Sequence, residues 1–432
     1  MRTYKKIPLE SGHCIKEKLL QWSTQFREVV WLDSNNHQQQ YSNYDAVLAV
    51  DAFTMIQTDS FEAFDKLKEY QALTKDWLFG YLSYDLKNDT EHLKSKNFDG
   101  LNFPELYFFQ PKKVFLLKEN TIELHYLNFV DDELEHDYNE IIQQKISGVQ
   151  TNKNKDSIKI KLRMTKDSYF EKFKAIHKHI LRGDIYEVNF CQEFYAEQTK
   201  IDPLSVYQNL NTISNPPFAT FLKLDDKYVL SASPERYLCK NETTVVSQPI
   251  KGTAKRSKNT EKDAQLKYNL EHDIKERSEN IMIVDLVRND LSKTATKGSV
   301  KVPELCKVYS FDQVHQMIST VTSEVEHTKS PVEIIRTTYP MGSMTGAPKV
   351  SAMKIIEQLE ITKRSLYSGA VGYFTPDNDF DFNVIIRSIL YNETNQYVSY
   401  SVGGAITAKA NAEAEYQECL IKAKAMREAL LS

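Results

Sequence analysis

The chain has 432 residues, 41% of them apolar and 26% charged, which supports a sizeable folded core and excludes disordered, fibrous and disulfide-framed classes. Its formal net charge of −4 offers no basic field for nucleic acid or an anionic membrane surface, so neither is expected as a partner. Five scattered cysteines, Cys14, Cys191, Cys239, Cys306 and Cys419, contain no CxxC pair and leave one over, the usage of a reducing compartment.

In chain order, the amino terminus carries charge early but no continuous apolar stretch, and nowhere do 18 apolar residues run together, so the reading is cytoplasmic and untargeted. Residues 1–150 alternate short β-like runs, EVVWL, AVLAVDAF, LYFFQPKKVFLL and TIELHYLNFV, with polar connections, and predict an antiparallel, strand-rich region. The polar stretch Ser147 to Ser157 reads as a linker. Residues 160–432 then predict a helix over Lys166 to Arg182, strands over Phe218 to Leu224, Tyr228 to Ser231 and Thr243 to Pro249, and long helices over Glu261 to Ser292 and Asn411 to Leu431. Hairpins beside separate helices favour an α+β class over a doubly wound parallel sheet. Glycine is scarce, 13 residues in all, and six of these lie between Gly342 and Gly404, where special backbone geometry is therefore expected.

Three clusters carry chemistry. In HDIKERSENIMIVDLVRND, Glu276 and Glu279 are three apart and share one face of a predicted helix. The last helix repeats the device with Glu415 and Glu418, followed by Lys422, and its apolar stripe of Tyr416, Leu420, Ala423, Met426 and Leu430 lies elsewhere on the helix. Brought together, the two ExxE pairs would form an oxygen-rich site for a hard cation such as Mg2+; apart, they would be ordinary solvated helix faces.

In the second cluster, Glu235 of SASPERYL is followed sixteen residues later by Lys251, bracketed by proline and glycine in SQPIKGTAKRS. A lysine at a strand-to-turn edge is commonly just exposed. Alternatively, desolvation lowers its pKa and makes it an amine nucleophile, while Glu235 stays protonated to donate to a leaving oxygen.

The third cluster, TTYPMGSMTGAPKVSAMKIIEQLE, sets a Gly/Ser/Thr turn before a helix beginning near Pro348, and lacks P-loop spacing. Near it Tyr373 and Arg387 fall on consecutive strand-like runs, and Gly403 and Gly404 form a double glycine. Arg387 in an apolar setting calls for an anion, from either a structural carboxylate or a substrate. His315 reads equally as a satisfied core histidine or as a site residue.

Taken in order, GDIYEVN, SPER, PIKGT, SENIMIVDLVRND, VHQMIST, GSMTGAPK, GAVGY, IIRS, VGGAI and EAEYQE resemble the chorismate-utilising enzymes: the large subunits of anthranilate synthase and aminodeoxychorismate synthase, and more distantly the isochorismate and salicylate synthases. The resemblance covers residues 160–432 as the chorismate-binding catalytic region, and residues 1–150 more loosely, chiefly in YSNYDAVLAVD. It implies an anthranilate synthase component I-like fold, two large, mainly antiparallel sheets packed together with helices outside. Anthranilate synthases resemble PIAGT where this chain has PIKGT, the form typical of aminodeoxychorismate synthases.

The resemblance therefore implies Mg2+-dependent amination of chorismate at C4, giving 4-amino-4-deoxychorismate on the route to 4-aminobenzoate and folate. Lys251 would attack C2 while Glu235 assists the departing hydroxyl. Glu279 and Glu418 would hold Mg2+, with Glu276 and Glu415 beside them. Lys422 and the backbone of Gly252 and Thr253 would hold the ring carboxylate; Arg387, Tyr373 and Gly404 would grip the enolpyruvyl carboxylate, and His315 and Thr345 would line the ring. Glu187 stands where the aminating branches commonly have glutamine and the isochorismate branch a water-activating lysine. Met341, Ala254 and Cys419 are further departures. No cysteine sits in a GxCxG nucleophile pattern, so a separate glutamine amidotransferase subunit is the implied source of ammonia. The competing readings are anthranilate synthase component I and a noncatalytic subunit that binds an amidotransferase.

Overall fold

Two thirteen-residue strands, Ala46–Thr58 and Leu106–Lys118, run antiparallel along their whole length and join the two halves of the architecture. A computed structural model describes residues 1–9, 14–38, 40–145, 158–312 and 314–432, so the stretch read as a linker lies outside the described residues. The ladder between the two strands shifts register between Ala52 and Thr54, a bulge that re-aims both strands. Before it, pairing continues outward through Glu28–Asp33, Phe218–Leu224, Lys227–Ser233, Ser388–Asn392, Tyr397–Thr407 and Glu187–Ala196. After it, pairing continues through Leu78–Leu82, Ala370–Phe374, Phe380–Val384, Arg236–Asn241, Thr244–Ser247 and Val314–Glu324. The strand Val314–Glu324 also pairs with Ile250–Lys255 and Lys301–Ser310.

All these ladders are antiparallel, and the fold is the expected α+β arrangement of two large sheets, here continuous through the shared pair. Strands from either side of the undescribed segment alternate within both sheets: Glu28–Asp33 pairs with Phe218–Leu224, and Leu78–Leu82 with Ala370–Phe374.

The helices obey local capping chemistry. Lys166–Arg182 opens on Thr165, which accepts from the Ser168 N–H, and closes on Gly183 at φ +86°. The helix expected over Glu261 to Ser292 is two, Thr260–His272 and Ile274–Ser292, because Asp273 leaves the helical conformation and its carboxylate accepts from the Glu276 N–H at 3.0 Å. That cap fixes where the first glutamate pair stands. The last helix, Ala412–Leu431, is capped by Asn411 and buries Cys419, Ala423, Met426 and Leu430 in the first sheet's core, while Tyr416 packs in a neighbouring cluster with Tyr169, Phe190 and Ile406. No helix among the described residues is long and apolar enough to cross a membrane.

Candidate active site

Lys251 owes its position to a bulge. The ladder between Ile250–Lys255 and Val314–Glu324 passes from Ile250↔Ile318 directly to Thr253↔Gln316, so Lys251 and Gly252 bulge out of register, with Gly252 at φ +91°. A Cβ on Gly252 would also stand 3.2 Å from Glu276 Oε2. The bulge turns Lys251 into a cavity of about 500 Å³, lined from both sheets and from the helices Ile274–Ser292 and Ala412–Leu431.

Eleven of the residues singled out in the sequence meet there: Glu235, Lys251, Gly252, Thr253, Glu276, Glu279, Arg387, Gly404, Glu415, Glu418 and Lys422. Glu235 sits between two strands, 4% exposed, and Ser343 Oγ donates to its Oε1 at 2.7 Å. Burial pushes its pKa up to about 7, against the smaller opposing pull of Ser343 and Lys251. Lys251 Nζ donates to Glu187 Oε1 at 3.0 Å. Burial pulls the Lys251 pKa down, but the charge and hydrogen bond of Glu187, with Glu279 and Glu235, outweigh it and the pKa is raised. The lowered value anticipated from desolvation alone does not arise here, because a carboxylate meets the amine.

One member of each glutamate pair is buried, while Glu276 is half-buried and Glu418 exposed at the cavity mouth. Glu279 and Glu415 are 7% and 4% exposed, and burial raises the pKa of both, that of Glu279 to about 7. Lys275 Nζ stands between the helices, 3.8 Å from Glu279 Oε1 and 3.7 Å from Glu415 Oε1. Glu279 Oε1 is buried with no hydrogen-bond partner. Lys422 Nζ pairs with Glu418 at 2.6 Å and donates to the Gly403 carbonyl at 2.9 Å. Four carboxylates lining one cavity, one of them with a buried oxygen that has no hydrogen-bond partner, fit a hard, oxygen-preferring metal. Among the described residues, the one close trio of ligand atoms is His136, Asp137 and Glu140, none of which lines this cavity.

Arg387 lies not in a strand but in the break between Phe380–Val384 and Ser388–Asn392, at φ +54°. Its Nη1 donates to the Lys422 carbonyl at 3.4 Å, and burial lowers its pKa. A guanidinium facing a cavity and spending one long bond on a carbonyl is equipped for an external anion.

Three expected residues are placed elsewhere. Tyr373 is 5% exposed and packs on Trp77 and Phe79, with ring centroids 5.6 and 5.5 Å apart, beside a separate cavity of about 50 Å³ lined by Ser34, Tyr44 and Asp381. Tyr367, six residues earlier in the same sequence run, lines the main cavity instead. His315 is 1% exposed, with Nδ1 at 2.9 Å from Ser310 Oγ and Nε2 at 3.2 Å from Asp263, the satisfied-core arrangement. Strand alternation turns its neighbours Val314 and Gln316 to the cavity. Thr345 is fully buried and donates within its own turn, to the Met341 and Gly342 carbonyls. Ser343 and Met344 are the turn residues that face the cavity.

A buried guanidinium holds that turn. Arg364 donates to the Met344 and Asn189 carbonyls, each at 2.7 Å, and to both oxygens of Glu360 at 2.7 and 2.9 Å. Nothing in the sequence pattern distinguished Arg364, since its role rests on contacts made across 175 residues of chain.

The family model described as chorismate binding enzyme matches residues 27–428. The chain is similar to aminodeoxychorismate synthase component 1 of Escherichia coli, 39% identical over 259 residues, covering 60% of this chain and 56% of that one, little more than half its length. It is similar also to the protein of that name from Bacillus subtilis, 32% identical over 360 residues, covering 81% and 76%. The structure of anthranilate synthase component I from Streptococcus pneumoniae shares the fold, with a TM-score of 0.77 at 24% identity over 90% of this chain and 93% of that one.

Proposed function

The chain belongs to the family of chorismate binding enzymes, and from that premise we propose that it aminates chorismate at C4, giving 4-amino-4-deoxychorismate with ammonia supplied by a separate glutamine amidotransferase. The observation that carries this reading is Lys251, bulged into the cavity beside Glu235. With a pKa raised to about 7 by burial, Glu235 holds a proton that the departing C4 hydroxyl needs. As Lys251 Nζ attacks C2, the ring double bonds shift, the C4–O bond breaks and Glu235 delivers its proton, releasing water. Ammonia then adds at C4, the bonds shift back and the lysine amine leaves. The covalent step divides one hard allylic substitution into two easier ones.

The remaining residues bind and orient. Arg387 would bind one substrate carboxylate, with Tyr367 and the Gly404 backbone among the groups that line the same cavity. Lys422 and the bulge at Gly252 and Thr253, which line that cavity too, would bind the other. Glu276, Glu279, Glu415 and Glu418 would hold Mg2+, which when bound supplies positive charge to anchor and polarise a substrate carboxylate.

The test is product analysis of the purified protein with chorismate, Mg2+ and an ammonium salt, with and without an added aminodeoxychorismate lyase. Formation of 4-aminobenzoate only when the lyase is present is the expected result. Anthranilate with pyruvate, formed without it, overturns the proposal.

A further inference from the structure

Glu187 lies under Lys251 rather than in the cavity wall. It is the first residue of Glu187–Ala196, and its backbone is clamped on both sides, against Thr407 in one ladder and Ala347 in the other. Gly346 closes over it so tightly that a Cβ there would come within 2.2 Å of the Glu187 carbonyl. The side chain is 1% exposed. One oxygen, Oε1, accepts from Lys251 Nζ at 3.0 Å; the other, Oε2, is buried with no hydrogen-bond partner.

A buried carboxylate with one oxygen unsatisfied is a costly group to place there for anchoring alone. A neutral amide could accept the same hydrogen bond from the lysine. What a carboxylate adds is the capacity to take a proton. The other acids around Lys251 are differently disposed: Glu235 from the strand-connecting turn, Glu276 and Glu279 from Ile274–Ser292, and Glu418 from Ala412–Leu431 act on its charge without any hydrogen bond to Nζ among the described residues. Among the described residues, Glu187 is the acid that hydrogen-bonds the amine, and it is not one of the residues lining the cavity.

We propose that Glu187 positions the Lys251 amine and accepts its proton as that amine becomes a nucleophile. The inference rests on the reading of Lys251 as the covalent group. An N–H bond of the Lys251 ammonium breaks, the proton passes to a Glu187 oxygen, and the freed lone pair forms the bond to C2. When ammonia later displaces the lysine at the end of the cycle, the amine leaves neutral and recovers the same proton from Glu187. Glu235 meanwhile gives its proton to the leaving hydroxyl and regains one from solvent. Substrate covering the pair removes water from it, and within a dry pair the transfer exchanges two charges for none, which burial favours.

The test compares Glu187→Gln and Glu187→Asp with the wild-type protein, measuring rates with chorismate, Mg2+ and ammonium salt from neutral to alkaline pH. Each variant is expressed as a ratio to wild type at the same pH, so that the rise of free ammonia with pH cancels. For Glu187→Gln the kcat ratio is expected to be about 0.01 to 0.1 at pH 7 and to climb toward unity in alkali, since the amine must then shed its proton to solvent. For Glu187→Asp a pH-independent ratio is expected. The second readout is the Lys251 adduct, protein plus chorismate less water, followed by intact mass in the absence of ammonia; it should form more slowly in Glu187→Gln at pH 7. A ratio near unity throughout, or a low ratio that does not change with pH in folded Glu187→Gln, overturns the proton-acceptor role. Undiminished turnover in Lys251→Ala, with no adduct in the wild-type protein, instead removes the covalent reading on which it depends.

Discussion

Ser343 Oγ donates to Glu235 Oε1 at 2.7 Å, joining the turn that faces the cavity to the residue proposed above to protonate the leaving group. The hydrogen bond favours the ionised carboxylate and so opposes burial, which is the larger influence and brings the Glu235 pKa up to about 7. Because catalysis as proposed needs the protonated form, activity should fall as pH rises through about 7. Ser343→Ala removes the opposing bond, raises the pKa further and moves that fall to higher pH. The ratio of variant to wild-type rate should therefore increase with pH above 7, which a pH series at fixed free ammonia checks. A ratio that is flat or falls with pH contradicts the role given to Glu235.

Lys275, between the two acidic helices, makes a second prediction. Lys275 stands 3.8 Å from Glu279 and 3.7 Å from Glu415, among the carboxylates proposed to hold Mg2+. A metal entering between them must displace that ammonium or share the carboxylates with it. Lys275→Gln should therefore bind Mg2+ several-fold more tightly, and Glu279→Gln at least about tenfold more weakly, since a buried anionic oxygen is lost. Calorimetric titration of Mg2+ into the substrate-free protein measures both. Unchanged affinity in Glu279→Gln refutes its assignment as a ligand.

Arg387 makes a third. Its conformation, φ +54° in a break between strands, and, among the described residues, a single long side-chain hydrogen bond to the Lys422 carbonyl leave the guanidinium available to a ligand. Charge-assisted hydrogen bonds are worth about 1.5–3 kcal/mol, so Arg387→Met should raise KM for chorismate about 10- to 100-fold with a smaller change in kcat. Arg387→Lys should recover only part, because an ammonium cannot reproduce the planar two-point contact. An unchanged KM in Arg387→Met removes the arginine from carboxylate binding.

What the sequence made legible follows the range of the interactions involved. Helix bounds such as Lys166–Arg182 are written in local capping residues, and the strand Phe218–Leu224 in its own apolar run. The catalytic candidates Lys251 and Glu235 stood out through short motifs and meet in one cavity. Residue type misled where local geometry decides direction. His315 drew notice as a histidine, yet strand alternation turns Gln316 to the cavity. Tyr373 drew notice within GAVGYF, yet it packs on Trp77 and Phe79, aromatic partners contributed by residues about 300 positions away. A period-two count along VHQMIST was the available signal for the first. For Lys275 and Arg364 the local signal was only an i,i+4 pairing with Glu279 and Glu360, and the rest of each role comes from distant partners, Glu415 and the Asn189 carbonyl.

Arg364 shows how a residue outside the cavity determines its shape, and gives the last prediction. It is 4% exposed and pairs with Glu360, itself 5% exposed, while its remaining donors hold the carbonyls of Met344 and Asn189, two residues of the cavity wall. Arg364→Met leaves Glu360 as a buried anion without its cation and takes the Arg364 donors from the Met344 and Asn189 carbonyls, a loss of about 3–5 kcal/mol. Glu360 also accepts from the Cys191 N–H at 2.9 Å, so Glu360→Gln keeps that bond while removing the charge. The double variant Arg364→Met with Glu360→Gln should therefore recover part of the stability lost in Arg364→Met, though not the activity, because Met344 and Asn189 remain unheld. Chemical denaturation of the two variants beside wild type separates these contributions. A double variant less stable than Arg364→Met would show that the unpaired charge is not the source of the loss.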